Sequence, residues 1–520
     1  MTATPEQTEA ARRGAFSSRR VFILAAIGSA VGLGNIWRFP YVAYENGGGA
    51  FILPYLIALL TAGIPFLFLD YALGHRNRGS APLSFARLRK GTEFLGWWQV
   101  GICAIIAIYY AAIIGWSMRY MFFSVDKAWG SDPEKFFGGE FLSAADPSAG
   151  VTFDFVPGIL VPLLVVWVVV IAIMALGVQK GVGATSVIFI PVLLLAFVAL
   201  VVQALLLPGA TEGLNALFTP NWSALKDTAV WAAAFGQIFF SLSIGFGIMI
   251  TYSSYVGRRT DMTGSGLVVG FANSGFELLC GIGVFSALGF MAQASGVQVG
   301  DVASGGIGLA FIAFPAIISQ APAGGLIGVL FFASLILAGL TSLVSILEVV
   351  ISAVRDKFEM SRVGATAVVA LPIAVVSVLL FSTTSALTVL DIMDNFINKF
   401  GILLVAVVSM LVIAWALRAL PALARHLNRY GSIPVRGWWV ALISVVTPAV
   451  LALILVKELR DTAAETYGGY PDWMVAVFGW GVAAAVVVVG VLVTLVRWRP
   501  DTPLTVPEDE TDPTALEVAR

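Results

Sequence analysis

Charge is scarce in this 520-residue chain: Asp, Glu, Lys and Arg together make up 12%, against 59% hydrophobic residues. A soluble domain could not bury that apolar content around one core, so the composition excludes a soluble protein and implies an integral membrane one. Cysteine and histidine are nearly missing, with two of each. Cys103 and Cys280 both lie in apolar stretches, which excludes a disulfide framework or a cysteine metal cluster. His75 and His426 stand at basic ends of apolar runs, which argues against zinc or haem. No GxxxxGK[ST] loop occurs, so ATP hydrolysis is not expected to drive the protein. The N-terminus is polar and carries no short apolar stretch with a small-residue cleavage site, so no signal peptide is expected. The expected surroundings are a lipid bilayer, and nucleic acid is not an expected partner.

What is present is a series of twelve apolar runs, near 20–45, 51–74, 95–124, 155–176, 183–207, 228–256, 264–294, 324–356, 364–381, 389–418, 437–457 and 471–497. Each approaches the roughly 20 residues that a helix needs to cross a bilayer. The net charge is only −1, but the charges are sorted by loop. Arg12, Arg13, Arg19 and Arg20 precede the first run; Arg76, Arg78, Arg87, Arg89 and Lys90 follow the second; Lys180, Arg258, Arg259, Arg355 and Lys357 fall in alternate later loops. Asp132, Glu134, Glu140, Asp146, Asp154, Glu212 and Asp301 occupy the others. The basic loops should face the cytosol, which places both termini there and the protein in the inner (plasma) membrane.

Two runs are interrupted. The first contains GSAVGLGN (Gly28–Asn35) followed by Trp37-Arg38-Phe39-Pro40, and the sixth contains Phe240-Ser241-Leu242-Ser243-Ile244-Gly245-Phe246-Gly247. Glycine in membrane helices often serves close packing. Two breaks five runs apart, each mixing glycine with Ser or Asn, instead point to paired discontinuous helices around a polar midplane site, since irregular backbone survives there only where it lines a cavity. An odd number of spans per half forces the halves to insert with opposite topology. The expected organisation is an N-terminal segment (1–19), a first inverted repeat (20–207), a second (228–418), two further helices (435–497) and a cytoplasmic tail (498–520). The fold class is an all-α membrane protein with a 5+5 inverted-repeat core.

The stretches Gly28–Phe51, Gly236–Gly247 (GQIFFSLSIGFG) and Ala338–Ser342 (AGLTS) resemble the neurotransmitter:sodium symporter family, in particular its bacterial amino-acid members typified by the leucine transporter. The resemblance covers Arg13 to about Trp415 and implies two sodium sites. The first would comprise the Ala30 carbonyl, Asn35, Ser241 and Asn273, completed by the substrate carboxylate. The second would use the carbonyls of Gly28, Val31 and Ala338 with the hydroxyls of Thr341 and Ser342. Neutral oxygens in this number suit a hard cation. The resemblance further implies a substrate pocket of Ser29, Ala30, Leu33, Gly34, Ile106, Tyr110, Phe240, Ser241, Ser243, Phe246, Ser342 and Ile346. Ser29 departs from the asparagine of the leucine transporter.

Gly32 stands where monoamine transporters of the family carry an aspartate, which implies an amino-acid substrate. Glu277 lies four residues after Asn273, on the same helical face, and a carboxylate inside the membrane is costly. By resemblance, with Tyr55, Gln237 and Ser241 around it, it replaces the chloride that other members require, and it is placed to release and rebind a proton on the return step. Arg38 with Asp394 would form an external gate, with Tyr110 and Phe240 as an aromatic lid; Arg13 with Asp356, near Tyr255, would form the cytoplasmic one. The expected function is sodium-coupled, chloride-independent symport of a neutral, hydrophobic amino acid, with symport of a betaine or an osmolyte as the alternative. Titratable pairs or metal ligands converging at the midplane are scarce apart from Glu277, so an enzyme is not expected.

Overall fold

The computed structural model describes residues 15–303, 305–500 and 502–505. The described residues are predominantly helical, as high apolar content and the absence of bulk water require: a spanning segment must satisfy its own backbone hydrogen bonds. Among the described residues, ten helices are long and apolar enough to cross a membrane. Numbered along the chain with the broken segments, the helices are α1 (Arg19–Ala30), α2 (Leu33–Glu45), α3 (Gly49–Asn77), α4 (Lys90–Asp126), α5 (Pro157–Ala175) and α6 (Val178–Leu205). After these come the short α7 (Thr228–Ser241) and α8 (Ile248–Ser254). The remainder are α9 (Met262–Ser295), α10 (Gly324–Phe358), α11 (Arg362–Phe381), α12 (Ala386–Ala416), α13 (Gly437–Gly469) and α14 (Asp472–Thr494).

Helices α1 and α2 together make an eleventh span, bent by 54° at its break. The sixth expected run, 228–256, is divided into α7, of 14 residues, and α8, of 7, neither of which reaches a spanning length alone. Helix α10 packs along α4 and α6 and also meets α1 and α11. The first broken segment is thereby held against long helices, of which α4 and α10 contribute side chains to the walls of the site.

Both breaks have local causes. At Gly32 the backbone is extended (φ −122°, ψ −169°), and its N–H donates to Asn35 Oδ1 at 2.9 Å, so the asparagine side chain substitutes for the lost helical acceptor. Between α7 and α8, Ser243, Gly245 and Gly247 all have positive φ (53°, 85° and 87°). Glycine adopts this region freely. Ser243 does not, and it is held there by its hydroxyl donating to the Ser29 carbonyl at 2.9 Å, which ties one break to the other.

Candidate functional site

A cavity of about 600 Å³ opens between the two breaks, α4, α10 and α12. Every one of the twelve residues expected for the substrate pocket lines it, from Ser29 and Ala30 on α1 through Ile106 and Tyr110 on α4 to Ser342 and Ile346 on α10. Gly32 and Asn35 line it too. The cavity continues past the pocket to Glu134, Phe137 and Tyr470, in loops at the acidic end of the bundle.

Three of the residues expected around the first sodium, Asn35, Asn273 and Ser241, form one buried chain. Asn35 Nδ2 donates to Asn273 Oδ1 at 2.8 Å, and Asn273 Nδ2 donates to Ser241 Oγ at 3.1 Å. Each amide oxygen retains a lone pair for a cation. Of the second set, Gly28, Ala338, Thr341 and Ser342 lie where α1 meets α10. A Cβ on Gly28 would lie 3.5 Å from Thr341 Cβ, which places α1 directly on α10. The Thr341 hydroxyl donates to the carbonyls of Leu337 (3.1 Å) and Ala338 (3.0 Å), and that of Ser342 to Ser29 O at 3.4 Å. Hydroxyls that spend their protons on carbonyls turn oxygen lone pairs outward, so this donor set fits a hard cation.

Glu277 is fully buried. Its Oε1 accepts from Gln237 Nε2 at 2.6 Å and its Oε2 from the Tyr55 hydroxyl, which also lies 2.8 Å from Ser274 Oγ. The carboxylate therefore sits among hydrogen-bond donors one turn from Asn273, where a buried negative charge has support.

The gates differ from expectation. Arg38 and Asp394 are not in direct contact: the Arg38 guanidinium lies over the Phe240 ring, 4.4 Å from its centre. Asp394 Oδ1 instead accepts from the Tyr109 hydroxyl and from Asn398 Nδ2, each at 2.8 Å. Each charge is thus held by a local partner. Arg13 lies outside the described residues, so that pairing is not seen; Asp356 Oδ2 accepts from the Ser80 N–H at 2.8 Å. Tyr255 donates to Glu348 Oε1 at 2.7 Å, and Arg362 holds the same carboxylate through Nη1 (2.8 Å) and Nη2 (2.6 Å).

Sequence reasoning passed over Asp70, Cys103, Glu348 and Ile402. Asp70 Oδ2 accepts the Gly245 N–H at 3.3 Å and the Cys103 thiol donates to the Phe246 carbonyl at 3.1 Å, so both sides of that irregular peptide are pinned from neighbouring helices. Asp70 and Glu348 carried the same signal as Glu277, a carboxylate inside an apolar run.

The profile of the Sodium:neurotransmitter symporter family matches residues 13–143 and 130–500. The chain belongs to that family. An uncharacterised sodium-dependent transporter of Methanocaldococcus jannaschii is 41% identical over 471 residues, covering 90% of this symporter and 94% of the relative. Sodium- and chloride-dependent GABA transporter 2 of Bos taurus is 30% identical over 91% of the symporter and 84% of its own length. Sodium- and chloride-dependent glycine transporter 2 of Xenopus laevis is 28% identical, over 94% and 70%. The symporter is thus a sodium-dependent membrane transporter and not an enzyme.

Proposed function

We propose that the symporter carries a neutral, hydrophobic amino acid together with two sodium ions and without chloride, by alternating access, with its basic end in the cytosol. The observation that carries the substrate class is the uncharged wall at Gly32. A Cβ there would come 3.0 Å from Ser342 Oγ and 3.3 Å from the Tyr110 hydroxyl, so a side chain would crowd both hydroxyls, and the glycine offers no carboxylate to an amine. A substrate bearing its own carboxylate meets that requirement, with Tyr110 donating to it. Ile106, Ile346, Phe240 and Phe246 leave an apolar space for its side chain.

Ala30, Asn35, Ser241 and Asn273 would hold the first sodium and the substrate carboxylate would complete its shell. Contact at about 4 Å and an effective dielectric near 20 is worth roughly 4 kcal/mol, which couples ion and substrate. Gly28, Val31, Ala338, Thr341 and Ser342 would hold the second. The GABA and glycine transporters above are chloride-dependent by name. Here the buried Glu277 carboxylate supports a chloride-free cycle. Two sodium ions entering with a zwitterion move two charges, so 100 mV supplies about 4.6 kcal/mol, near a 2,000-fold accumulation before the sodium gradient is added.

Uptake of radiolabelled amino acids into proteoliposomes tests this, with sodium replaced by potassium and chloride by gluconate in parallel. Sodium-driven, chloride-indifferent accumulation of leucine-like or aromatic amino acids is expected; no amino-acid uptake would remove the substrate assignment. The likeness to a GABA transporter favours a second reading, a small ω-amino acid or related zwitterion. Competition by β-alanine and betaines separates the two.

A further inference from the structure

Resting on the amino-acid reading, we infer that Ile402 on α12 forms the floor of the side-chain pocket and sets the size of substrate the symporter accepts. Helix α12 lies outside the two broken segments and the two long helices that supply the expected pocket. Its residues 397–402 form a π-helical turn, however, an irregularity that recurs at functional sites. Residues four apart on an α-helix drift around it by about 40°. The wider turn offsets that drift, so Asp394, Asn398 and Ile402 share one face and all three line the cavity. The first two are polar and stand beside the vestibule, joined by the 2.8 Å bond from Asn398 to Asp394. Ile402 is apolar, only 4% exposed, and ends the row at the second break.

The contact with that break is close. A Cβ built on Gly245 would lie 3.7 Å from Ile402 Cγ2 and 3.3 Å from Cβ of Ala406, one turn further along α12. Gly245 itself has φ +85° and tolerates no side chain. The backbone that carries Ser243 and Phe246 therefore cannot fill this corner, and the isoleucine of α12 does so. A methylene gained or lost in an apolar pocket changes discrimination by about 10- to 200-fold. Removing the branched end of Ile402 should admit longer side chains, and a ring in its place should exclude them.

The test is kcat/KM for tryptophan, leucine and alanine in proteoliposomes with wild type, Ile402→Ala, Ile402→Phe and Ile402→Val, with half-saturating sodium measured for each. The tryptophan-to-alanine ratio should rise about tenfold or more in Ile402→Ala and fall by a similar factor in Ile402→Phe, while the sodium requirement stays put. A ratio within about threefold of wild type in both variants overturns the inference, because a side chain that only packs the helix would alter total rate without sorting substrates by length. If either variant fails to reach the membrane, Ile402→Val decides by direction: a higher ratio supports the floor and an unchanged one overturns it. Wild type that takes up none of the three amino acids refutes the substrate reading alone. The same ratio is then scored on ω-amino acids of increasing length, with the same two outcomes.

Discussion

Replacing Glu277 by Ser should make transport depend on chloride, and the size of the effect follows from the surroundings of the carboxylate. Glu277 and Asn273 are one turn apart on α9, a spacing of about 6 Å. A unit charge at that distance, at an effective dielectric of 20, contributes about 3 kcal/mol to a cation bound beside Asn273. Removing it should raise the half-saturating sodium concentration about 100-fold when no mobile anion is offered. The change also leaves the Gln237 amide without its acceptor and the Tyr55 hydroxyl with Ser274 alone. The Gln237 amide and the Tyr55 hydroxyl then line a small space whose charge balance favours an anion, and chloride can restore the lost acceptor and the field. Uptake by Glu277→Ser should therefore be weak in gluconate and recover at chloride concentrations of tens of millimolar, whereas wild type should be indifferent. Sodium titrations of uptake at fixed chloride, run on both proteins, measure this. A variant whose sodium midpoint is unchanged in gluconate, or does not respond to chloride, would refute the electrostatic role given to Glu277.

Three further outcomes are expected. Asn35→Ala cuts the buried chain to Asn273 and removes the acceptor of the Gly32 N–H, which costs about 1.5–3 kcal/mol; sodium titration should show a ten- to hundred-fold higher midpoint, and an unshifted one contradicts the first sodium site. Lys357 and Glu93 form a fully buried 2.6 Å ion pair, in which Glu93 also accepts from Trp97 (2.8 Å) and Trp498 (2.7 Å); Lys357→Met strands that carboxylate and should destabilise the fold by about 3–5 kcal/mol, partly recovered by adding Glu93→Gln, as read from melting temperatures in detergent. His426, on the short helix Leu420–Tyr430, lies 2.9 Å from His75, and burial, followed by the charges of His75, Arg76, Arg78 and Arg429, lowers its pKa from 6.5 to about 3. A depressed basic pKa favours the neutral ring in the folded protein, so this stability is complete above pH 6.5 and is lost as pH falls from there toward 3, by about 1.4 kcal/mol per unit; His426→Gln should flatten the difference between melts at pH 7.5 and 5.5.

The polar centre was readable because helix breaks are written in residue types. GSAVGLGN and SLSIGFG cannot continue a helix cheaply, and the twelve pocket residues that the family resemblance implied all line one cavity beside these breaks. Two features escaped. Ile402 follows Asn398, Lys399 and Gly401 in a run whose polar residues are scattered rather than gathered into a break, and its π-helical turn leaves no mark on hydrophobic periodicity, which spaces core residues alike at 3.6 or slightly more per turn. The partners of charged residues escaped as well, because Asp394 could be matched to Arg38 by type, yet Tyr109 and Asn398 are nearer and neutral. Pairing depends on conformation, and composition carries no record of which conformation is present.

That conformation has a consequence for transport. At the basic end Phe16 is buried against Phe22, Tyr252 and Tyr255, its N–H donates to the Tyr255 carbonyl at 3.1 Å, and Arg19 reaches Asp261 at 3.3 Å. At the acidic end the cavity runs out to the loops, and Arg38 and Asp394 stay apart. Bringing them together means lifting Arg38 off Phe240, a cation–π contact worth about 0.5–2 kcal/mol, and exchanging neutral hydrogen bonds on Asp394 for an ion pair of similar net worth. The two positions are then nearly balanced. Phe240 lines the substrate pocket as well as carrying the arginine. A substrate side chain that turns the ring would release Arg38 toward Asp394, so a few kcal/mol of pocket contacts suffice to tip the gate. Phe240→Leu removes the ring while keeping an apolar wall. It should favour the closed outer gate even without substrate, seen as slower reaction of a thiol reagent with a cysteine introduced at Tyr470; an unchanged rate would dissociate the gate from the pocket.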